Sequence, residues 1–353
     1  MKTNARMITI HDNYSLLPHN TFHINATARH FITYESIEDL QQITKQLHSC
    51  HTPLPILHIG AGSNLLFLKD FDGIILHSAI KTTEIIEENS KQIIIRAGAA
   101  VLWDELVTWC TAQGFYGLEN LSLIPGETGA AAIQNIGAYG IEAKDVIEQV
   151  ETVNLYDGSI KTFNNKDCAY GYRSSIFKQE LQGHYAVTHV QLRLAHKFTP
   201  NISYGNIRET LYNKGIDPNQ VTAAQMRQTI CDIRRAKLPD PNKTGNAGSF
   251  FKNPFLTPEA FERLQKTIPN LPHYNTPDGQ VKVPAAKLIE FCGWKGRSLG
   301  RAAVYDKQAL VLINKGGATG NEIYRLSKAI SNDVFNKLHV KITPEVNIIG
   351  EKE

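Results

Sequence analysis

The sequence of 353 residues lacks the features that define several large classes of protein. Its five cysteines include no Cys-x-x-Cys pair, so neither a disulfide framework nor a zinc site is indicated, and a reducing compartment is expected. The net charge is +3 and no block of lysine or arginine occurs, which argues against a nucleic-acid partner. Apolar runs such as 310–313 are far shorter than the about 20 residues of a membrane span.

The beginning of the sequence also lacks a secretory pattern. Residues 1–20 contain no apolar core segment, so we predict a cytoplasmic protein with no metal, membrane or nucleic-acid partner. We expect it to be a monomer. Hydrophobic residues make up 42% of the chain and charged residues 20%, as in ordinary globular proteins. A chain of this length is expected to form two or three domains.

Local patterns predict short strands in the first half and a mixture of helices and strands after the Pro239-Asp240-Pro241 break. A helix is predicted over 101–113, with Leu102, Leu106 and Trp109 on one face and Gly114 at its end. Thr319 and Glu322 form a capping-box pair. It begins a long amphipathic helix, whose predicted apolar stripe consists of Ile323, Leu326, Ile330, Val334 and Leu338. The predicted strands include 54–59, 65–68, 74–76, 92–97, 150–156, 159–163, 184–194, 340–342 and 346–349. Turns are predicted at Asp72-Gly73 and Asp157-Gly158.

The segment Gly60-Ala61-Gly62-Ser63-Asn64 lies between two of these strands. It resembles the start of a dinucleotide fingerprint, but Leu65 stands where the third glycine belongs and no helical pattern follows. A Rossmann fold is therefore disfavoured. Two interpretations remain open, a nest of backbone N–H groups for a pyrophosphate and a plain hairpin turn.

The segment 124–140 contains four glycines and four alanines, so it has very little side-chain bulk. A helix that begins near Thr128 would offer free N–H groups to a phosphate. Close helix packing would explain the alanines equally well, but it does not explain Gln134 and Asn135 among them.

Two further segments place a charged group in apolar surroundings. Arg173 follows Tyr170, Gly171 and Tyr172, and a buried arginine usually has an anionic partner, although a structural salt bridge is the simpler interpretation. Glu345 lies in Thr343-Pro344-Glu345-Val346, and it is either an exposed edge residue or a buried carboxyl.

The segment 245–254 joins two glycines to Ser249, Phe250, Phe251 and Lys252. This order favours a tight turn that presents Ser249 into a pocket walled by one of the two phenylalanines. An ordinary surface loop is the alternative.

Taken together and in this order, these segments resemble the MurB family, the UDP-N-acetylenolpyruvoylglucosamine reductases, in its longer type I form. The resemblance is carried by Asn20-Thr21-Phe22, 60–64, 133–140, 172–178, 237–241, 248–254 and 344–346, and so covers nearly the whole chain. His23 stands where the family usually has a glycine, and Asn347 where an arginine often follows Pro-Glu-Val.

The resemblance implies an α+β flavoprotein with a two-part FAD-binding domain of the vanillyl-alcohol-oxidase/PCMH type and a C-terminal α+β substrate-binding domain. It implies FAD-binding subdomains over 1–78, with a closing strand over 344–353, and over 79–221. A connecting helix over 222–238 and a substrate-binding domain over 239–343 follow.

The resemblance also implies the reaction and the site. NADPH as co-substrate would reduce FAD, which would reduce UDP-N-acetylglucosamine enolpyruvate to UDP-N-acetylmuramate in peptidoglycan precursor synthesis. The implied catalytic set is Arg173, Ser249 and Glu345. The implied FAD contacts are Gly60, Ala61, Gly62, Ser63, Asn64, Pro125, Gly126, Thr128, Gly129, Gln134, Asn135, Gly137, Ala138, Tyr139 and Arg234. The implied substrate contacts are Tyr204, Lys237, Asn253 and Gln308.

On this interpretation Arg173 stabilises the enolate, Ser249 supplies the proton and Glu345 is protonated or hydrogen-bonded through a water when the enolate forms. Two alternatives stay open at this point. One is an oxidase on the same FAD scaffold, which often binds flavin covalently through His or Cys. The other is a nucleotide-binding regulator without chemistry, which gives no reason for Arg173, Ser249 and Glu345 together.

Overall fold

A computed structural model describes residues 8–49 and 54–351 of the chain, and these residues have the predicted mixed α+β composition. The helices are α1 (Ile37–Ser49), α2 (Trp103–Gln113), α3 (Thr128–Gln134), α4 (Ile207–Asn213), α5 (Ala223–Lys237), α6 (Pro258–Thr267), α7 (Ala285–Phe291) and α8 (Gly320–Leu338). The strands are β1 (Thr9–Ser15), β2 (Thr27–Tyr34), β3 (Ile56–Ile59), β4 (Leu65–Phe67), β5 (Phe71–Ser78), β6 (Thr83–Glu88), β7 (Gln92–Gly98), β8 (Gly137–Ala138), β9 (Ile141–Glu142), β10 (Ile147–Asn154), β11 (Ile160–Asn164), β12 (Tyr185–Ala195), β13 (Gly245–Ser249), β14 (Phe255–Leu256), β15 (Tyr274–Asn275), β16 (Val281–Lys282), β17 (Ser298–Leu299), β18 (Ala302–Val304), β19 (Val311–Asn314) and β20 (Asn347–Ile349).

The described residues form two compact units. The first unit consists of residues 8–14, 28–49, 54–61 and 72–236. The second consists of residues 15–27, 62–71 and 237–351. The chain therefore passes between the two units inside the segment 60–64, after Ala61.

The first unit contains two sheets. One has the order β1-β2-β5-β3, with β3 parallel to β5, and it packs against α1 around Ile32, Leu40 and Ile43. The other is antiparallel, with the order β11-β10-β12-β7-β6. Consecutive β-branched residues of its strand β7, Ile93, Ile94 and Ile95, are all buried, so both faces of this strand are covered. Helices α2 and α3 contribute to the same core.

The second unit is built on the antiparallel sheet β13-β19-β18-β17. Helix α8 packs on β18 and β19 and buries the predicted stripe of Ile323, Leu326, Ile330, Val334 and Leu338. A separate pair of parallel strands joins β20 to β4, with Asn347 beside Leu65. Strand β4 of this pair begins at Leu65, directly after the segment 60–64.

Several local predictions are confirmed. The capping box of Thr319 and Glu322 begins α8, with the Thr319 side chain accepting from the Glu322 N–H group. Gly114 ends α2 in the left-handed conformation, with φ 80°. Asp157 and Gly158 turn the chain between β10 and β11, and Gly158 has φ 75°.

Other local predictions are wrong. Asp72 and Gly73 lie inside β5 rather than in a turn, since the strand already begins at Phe71. The buried face of α2 is Trp103, Leu106, Val107 and Cys110, whereas Leu102 is 41% exposed, because the sheet beneath the helix determines which face is covered. Residues 340–342 form no strand, although Val340 and Ile342 are buried.

The described residues contain neither a helix with the length and apolar character of a membrane span nor a group of three His, Cys, Asp or Glu side chains placed to hold a metal ion. Four of the cysteines, Cys110, Cys168, Cys231 and Cys292, are buried free thiols. Cys50 lies outside the described residues.

Candidate functional site

Arg173 lies in the first unit, on the backbone of the glycine- and alanine-rich segment. Its Nη2 donates to the Gly137 carbonyl at 2.5 Å and its Nη1 to the Asn135 carbonyl at 3.4 Å. A Cβ atom on Gly137 would lie 2.9 Å from Arg173 Nη1, so a side chain there would displace the guanidinium. Arg173 itself has φ 54°, which is unfavourable for a residue with a side chain. The guanidinium is thus fixed before any ligand binds.

Asn135 and Gln134 hold the chain that carries Arg173. Asn135 is fully buried, and its Nδ2 donates to the Gly171 carbonyl at 2.9 Å and to Glu142 Oε2 at 3.1 Å. Gln134 Oε1 accepts a hydrogen bond from Lys178 Nζ. These contacts explain why two amides stand among the alanines. Their assignment to FAD remains a prediction.

The beginning of α3 does not offer the donors that the sequence suggested. The Thr128 N–H group donates to the Val101 carbonyl at 2.9 Å, and the Gly129 N–H group to the Ala99 carbonyl at 3.0 Å. Thr128 Oγ1 also donates to Val101. The expectation of free N–H groups for a phosphate is therefore wrong for these two residues, because the loop before α2 already uses them.

Arg234 is held by the loop that contains Pro125 and Gly126. Its Nε donates to the Leu123 carbonyl at 3.2 Å, and its side chain is hydrogen-bonded to Tyr139. Burial lowers the pKa of Arg234, and the charges of Tyr139, Cys231 and Asp104 oppose this shift. Burial likewise raises the pKa of the Tyr139 phenol. A desolvated cation of this kind interacts strongly with an anionic ligand.

Tyr204 also belongs to the first unit, and it adjoins the same segment. Its Cβ lies 3.3 Å from the position that a Cβ on Gly140 would take, and its side chain is 41% exposed. Asn120 Nδ2 donates to the carbonyls of Tyr139 and Asn201, at 2.8 and 2.9 Å. The structure thus brings Arg173, Arg234 and Tyr204 onto one stretch of backbone, 135–140, within the first unit.

Ser249 lies in the second unit at the end of β13. A bulge between Asn246 and Ser249 interrupts the pairing with β19, and Gly248 has φ 66°. Phe250 and Phe251, at 0% and 1% exposure, are core residues. The expected pocket wall is therefore wrong for both phenylalanines. Their burial instead anchors the chain on which the Ser249 hydroxyl is carried.

Glu345 lies beside this strand, within the same unit. Its N–H group donates to the Phe250 carbonyl at 2.7 Å, and the preceding residue, Pro344, is bridged to Phe251. Glu345 is half-buried. Ser249 and Glu345, 96 positions apart in the sequence, are therefore carried on adjacent segments of backbone.

The segment 60–64 joins β3 to β4. Gly62 has φ 69°, and a Cβ atom there would lie 1.8 Å from the His19 carbonyl oxygen, so only glycine is tolerated. Asn64 Nδ2 donates to the Glu345 carbonyl at 3.2 Å, while the Asn64 carbonyl accepts from the Asn347 N–H group at 3.0 Å. The end of this loop is thus coupled directly to the backbone of Glu345.

The two departures from the family pattern have structural explanations. Asn347 Nδ2 adds a contact of 3.3 Å to the Asn64 carbonyl, so the residue fastens the loop from the side of β20. His23 has φ 55°, a conformation that favours glycine and is tolerated by His more readily than by most residues. Its N–H group donates to the Asn20 carbonyl at 3.1 Å.

The other proposed substrate residues of the second unit are distributed around β13 and β19. Asn253 Oδ1 accepts from the Ala285 N–H group at 3.0 Å, at the start of α7. Gln308 precedes β19, and its Oε1 accepts from the Leu310 N–H group at 3.3 Å. Lys237, the last residue of α5, is exposed. The role of Asn253, Gln308 and Lys237 in binding substrate remains a prediction.

Sequence reasoning missed Asp104 and Asn120, which hold the loops of the first unit. Asp104 Oδ1 accepts from the Leu123 N–H group at 2.5 Å. The only local signal was an acidic residue in the first turn of α2, which is commonplace. No sequence motif identifies the distant residues to which these two side chains are hydrogen-bonded.

Comparisons with known proteins give matches over both units. A family described as "FAD binding domain" matches residues 28–164, and one described as "UDP-N-acetylenolpyruvoylglucosamine reductase, C-terminal domain" matches residues 240–349. A UDP-N-acetylenolpyruvoylglucosamine reductase of Bacteroides fragilis (strain YCH46) is 48% identical over 336 residues, covering 95% of this chain and 99% of that protein. One from Burkholderia ambifaria is 42% identical over 345 residues, covering 98% of each.

A solved structure also matches over nearly the full length. It is the crystal structure of the UDP-N-acetylenolpyruvylglucosamine reductase MurB from Thermus caldophilus, with a TM-score of 0.67 and 22% sequence identity. The match covers 97% of this chain and 98% of that chain. At this identity the likeness supports the fold.

Proposed function

Because this chain belongs to the UDP-N-acetylenolpyruvoylglucosamine reductase family, we propose that it reduces UDP-N-acetylglucosamine enolpyruvate to UDP-N-acetylmuramate with FAD as cofactor and NADPH as co-substrate. The observation that carries the proposal is the identity of 42–48% over 95–98% of the chain. Such an enzyme is an oxidoreductase of peptidoglycan precursor synthesis.

The residues present fit FAD. In the first unit, Arg234 is a half-buried cation. In the second unit, Ser63 and Asn64 carry neutral hydrogen-bonding groups on a loop whose conformation is fixed at Gly62. Cationic and neutral donors of this kind suit a diphosphate and the polar edge of a flavin. When bound, FAD supplies the hydride, which it takes from NADPH and passes to the methylene carbon of the enolpyruvyl group.

Arg173 is assigned to the carboxylate of the enolpyruvyl group. Hydride addition to the methylene carbon builds negative charge on the adjacent carbon and on that carboxylate. A guanidinium matches a carboxylate edge to edge, and a fixed cation costs no reorganisation when the charge develops. The bonds from Arg173 to the Asn135 and Gly137 carbonyls support this assignment, because they fix the orientation of the side chain in advance.

Ser249 is assigned as the proton donor and Glu345 as its neighbour in stabilising the enolate. A serine hydroxyl is a weak acid, so it requires a strongly basic carbon and a well-defined position. The burial of Phe250 and Phe251 supplies that position for Ser249. The bond from the Glu345 N–H group to the Phe250 carbonyl supports a joint role for the two residues.

Four residues are assigned to the remainder of the UDP-sugar. Tyr204 has an exposed ring that suits contact with a sugar or a base, and Lys237 offers a positive charge to the diphosphate. Asn253 and Gln308 each use a side-chain oxygen within the protein, so their Nδ2 and Nε2 groups would donate to the ligand. If NADPH and the sugar nucleotide use one diphosphate site in turn, the kinetics will be ping-pong.

One experiment tests the proposal directly. The purified full-length protein is mixed anaerobically with NADPH and then with the enolpyruvyl nucleotide sugar, while the flavin absorbance is followed by stopped flow. We expect a yellow protein with about one FAD per chain, bleaching by NADPH and recovery of the flavin band on addition of the sugar. A protein that binds no flavin, or whose reduced flavin is not reoxidised by the sugar, would contradict the proposal.

A further inference from the structure

The backbone of Leu123 is strained immediately before the proposed FAD contacts Pro125 and Gly126. Leu123 has φ 58°, a conformation that leucine rarely adopts. The residue is held at both ends, since its N–H group donates to Asp104 Oδ1 at 2.5 Å and its carbonyl accepts from Arg234 Nε at 3.2 Å. These two side chains therefore maintain a conformation that the chain would not adopt alone.

Asp104 also binds α5 with its second oxygen. Arg227 Nη2 lies 2.9 Å from Asp104 Oδ2, in an ion pair whose side chains are 18% and 30% exposed. The same Arg227 nitrogen donates to Thr108 Oγ1 at 2.6 Å, on the next turn of α2. One carboxylate thus joins the first turn of α2, the strained loop and helix α5.

Arg227 and Arg234 are seven residues apart on α5, which places them on the same face two turns apart. Arg227 is fixed by Asp104 directly, and Arg234 by the Leu123 carbonyl that Asp104 also positions. The negative charge of Asp104 favours the cationic form of Arg234 as well. The position of Arg234 therefore depends on Asp104, a residue that is not among the site residues expected from the sequence.

We propose that Asp104 is a positioning residue of the flavin site: it holds Leu123 in its left-handed conformation and, through Arg227 and the Leu123 carbonyl, places Arg234 and the loop 123–126 for the flavin. This inference rests on the proposed function, because it assumes that this loop and Arg234 face FAD. Asp104 itself performs no chemical step.

The test compares Asp104→Ala with Asp104→Asn. Both remove the same charge, but only asparagine keeps a side-chain oxygen that can accept from the Leu123 N–H group. We expect D104A to raise the dissociation constant of FAD from the holoenzyme by about tenfold or more relative to D104N, since D104A leaves the Leu123 N–H group without the side-chain acceptor that D104N keeps. The midpoint potential of the bound flavin should be more negative in D104A than in D104N, because a displaced cation stabilises the reduced anion less.

A matched control removes a charge from the same helix turn without touching the loop. Glu105→Gln alters an exposed neighbour of Asp104, and its FAD affinity, potential and flavin spectrum should equal those of the unchanged protein. The double variant Asp104→Ala with Leu123→Gly should recover part of the lost affinity, because glycine adopts the left-handed conformation without strain. If D104A alone does not fold, this double variant and D104N still give the comparison.

The outcomes are distinct. Equal FAD affinity and equal potential in D104A and D104N, or no recovery on adding L123G, would overturn the positioning role. Absence of FAD from the unchanged protein would instead overturn the proposed function, whatever the variants do.

Discussion

Arg173 and Ser249 are both held in place without a ligand, but different parts of the chain hold them. In the first unit the side chain of Arg173 is fixed, because its guanidinium donates to the Asn135 and Gly137 carbonyls. In the second unit the backbone beside Ser249 is fixed, because Phe250 and Phe251 are buried and Phe250 bonds to Leu310 and Glu345. The Ser249 hydroxyl is positioned by its strand and bulge.

The difference matches what each group is proposed to do. A cation that stabilises developing charge works best when it cannot reorient, so direct bonds to its fork are useful. A hydroxyl that donates a proton works from a defined place on the backbone, and rotation about its own bonds turns its proton toward the acceptor. Substitutions at Ser249, Arg173 and Gly137 test the two parts of this comparison.

The largest effect is expected at Ser249. Ser249→Ala should leave the reduction of the flavin by NADPH intact and slow its reoxidation by the enolpyruvyl sugar by about 10²–10⁴-fold, because the proton donor is lost. Stopped-flow measurement of the two half-reactions separates these effects. Ser298→Ala, on β17 of the same sheet, is the control and should change neither rate. Equal slowing of both half-reactions by S249A would contradict a proton-donor role.

The second-largest effect is expected at Arg173. Arg173→Ala should reduce the rate of flavin reoxidation by about 10²–10³-fold, and Arg173→Lys should recover only part of it, since lysine has no planar fork to hold both carbonyls. Arg29→Lys, at a side chain 47% exposed on the surface, serves as the control. Full activity of R173K would show that a positive charge alone suffices. It would contradict the idea that the side chain of residue 173 must be fixed by bonds to the Asn135 and Gly137 carbonyls.

A smaller effect is expected from the residue beneath Arg173. Gly137→Ala introduces a Cβ atom 2.9 Å from Arg173 Nη1 and 3.0 Å from Glu142 Cγ, so the guanidinium must move. We expect kcat to fall by about tenfold with little change in FAD content, because a small misplacement weakens a stabilising contact. Gly171→Ala is the matched control, since its nearest neighbour, Ser174 Cβ, would lie at 3.8 Å. Unchanged kcat in G137A would mean that Arg173 need not be fixed.

The last prediction concerns the stability of the first unit in acid rather than its activity. Burial beside Tyr34 and the charge of His77 lower the pKa of His58 to about 4. Since the folded pKa lies below the usual 6.5, the folded state binds fewer protons, and stability should fall as the pH decreases from about 6.5 to about 4, by up to about 3 kcal/mol. Denaturant unfolding at several pH values should show this slope flattened in His58→Gln but retained in His184→Gln, an exposed control. If stability depends on pH in H58Q as it does in the unchanged protein, His58 is not the residue responsible.

The sequence predicts what local chemistry determines. Gly114 and the pair Thr319 and Glu322 act within one turn of their own helices, and their predicted roles are confirmed. The predicted face of α2 is only partly right: Leu106 is buried and Trp109 packs against the core, but Leu102 precedes the helix and is 41% exposed. Helical period alone does not show which side of a helix another element covers.

The same limit applies to the candidate site. Arg173 stands out in the sequence because an arginine among aromatic residues requires partners, but the partners expected were anions, and two of those found are carbonyls of residues 36 and 38 positions away. Leu123 has no signal in the sequence, because a left-handed leucine is recognised only from its dihedral angle. Asp104 has only the commonplace signal of an acidic residue in the first turn of a helix, which does not identify Leu123 as its partner. Contacts between distant segments depend on the whole fold.

The pairing of β20 with β4 has a consequence for biosynthesis. The Asn64 carbonyl accepts from Asn347, and the Leu68 N–H group donates to Ile349, so the loop that follows Gly60 is completed by residues made some 280 positions later. A nascent chain still attached to the ribosome before these residues emerge cannot close this ladder. The loop therefore acquires this part of its support only after residues 347–349 have been synthesised and have left the ribosome.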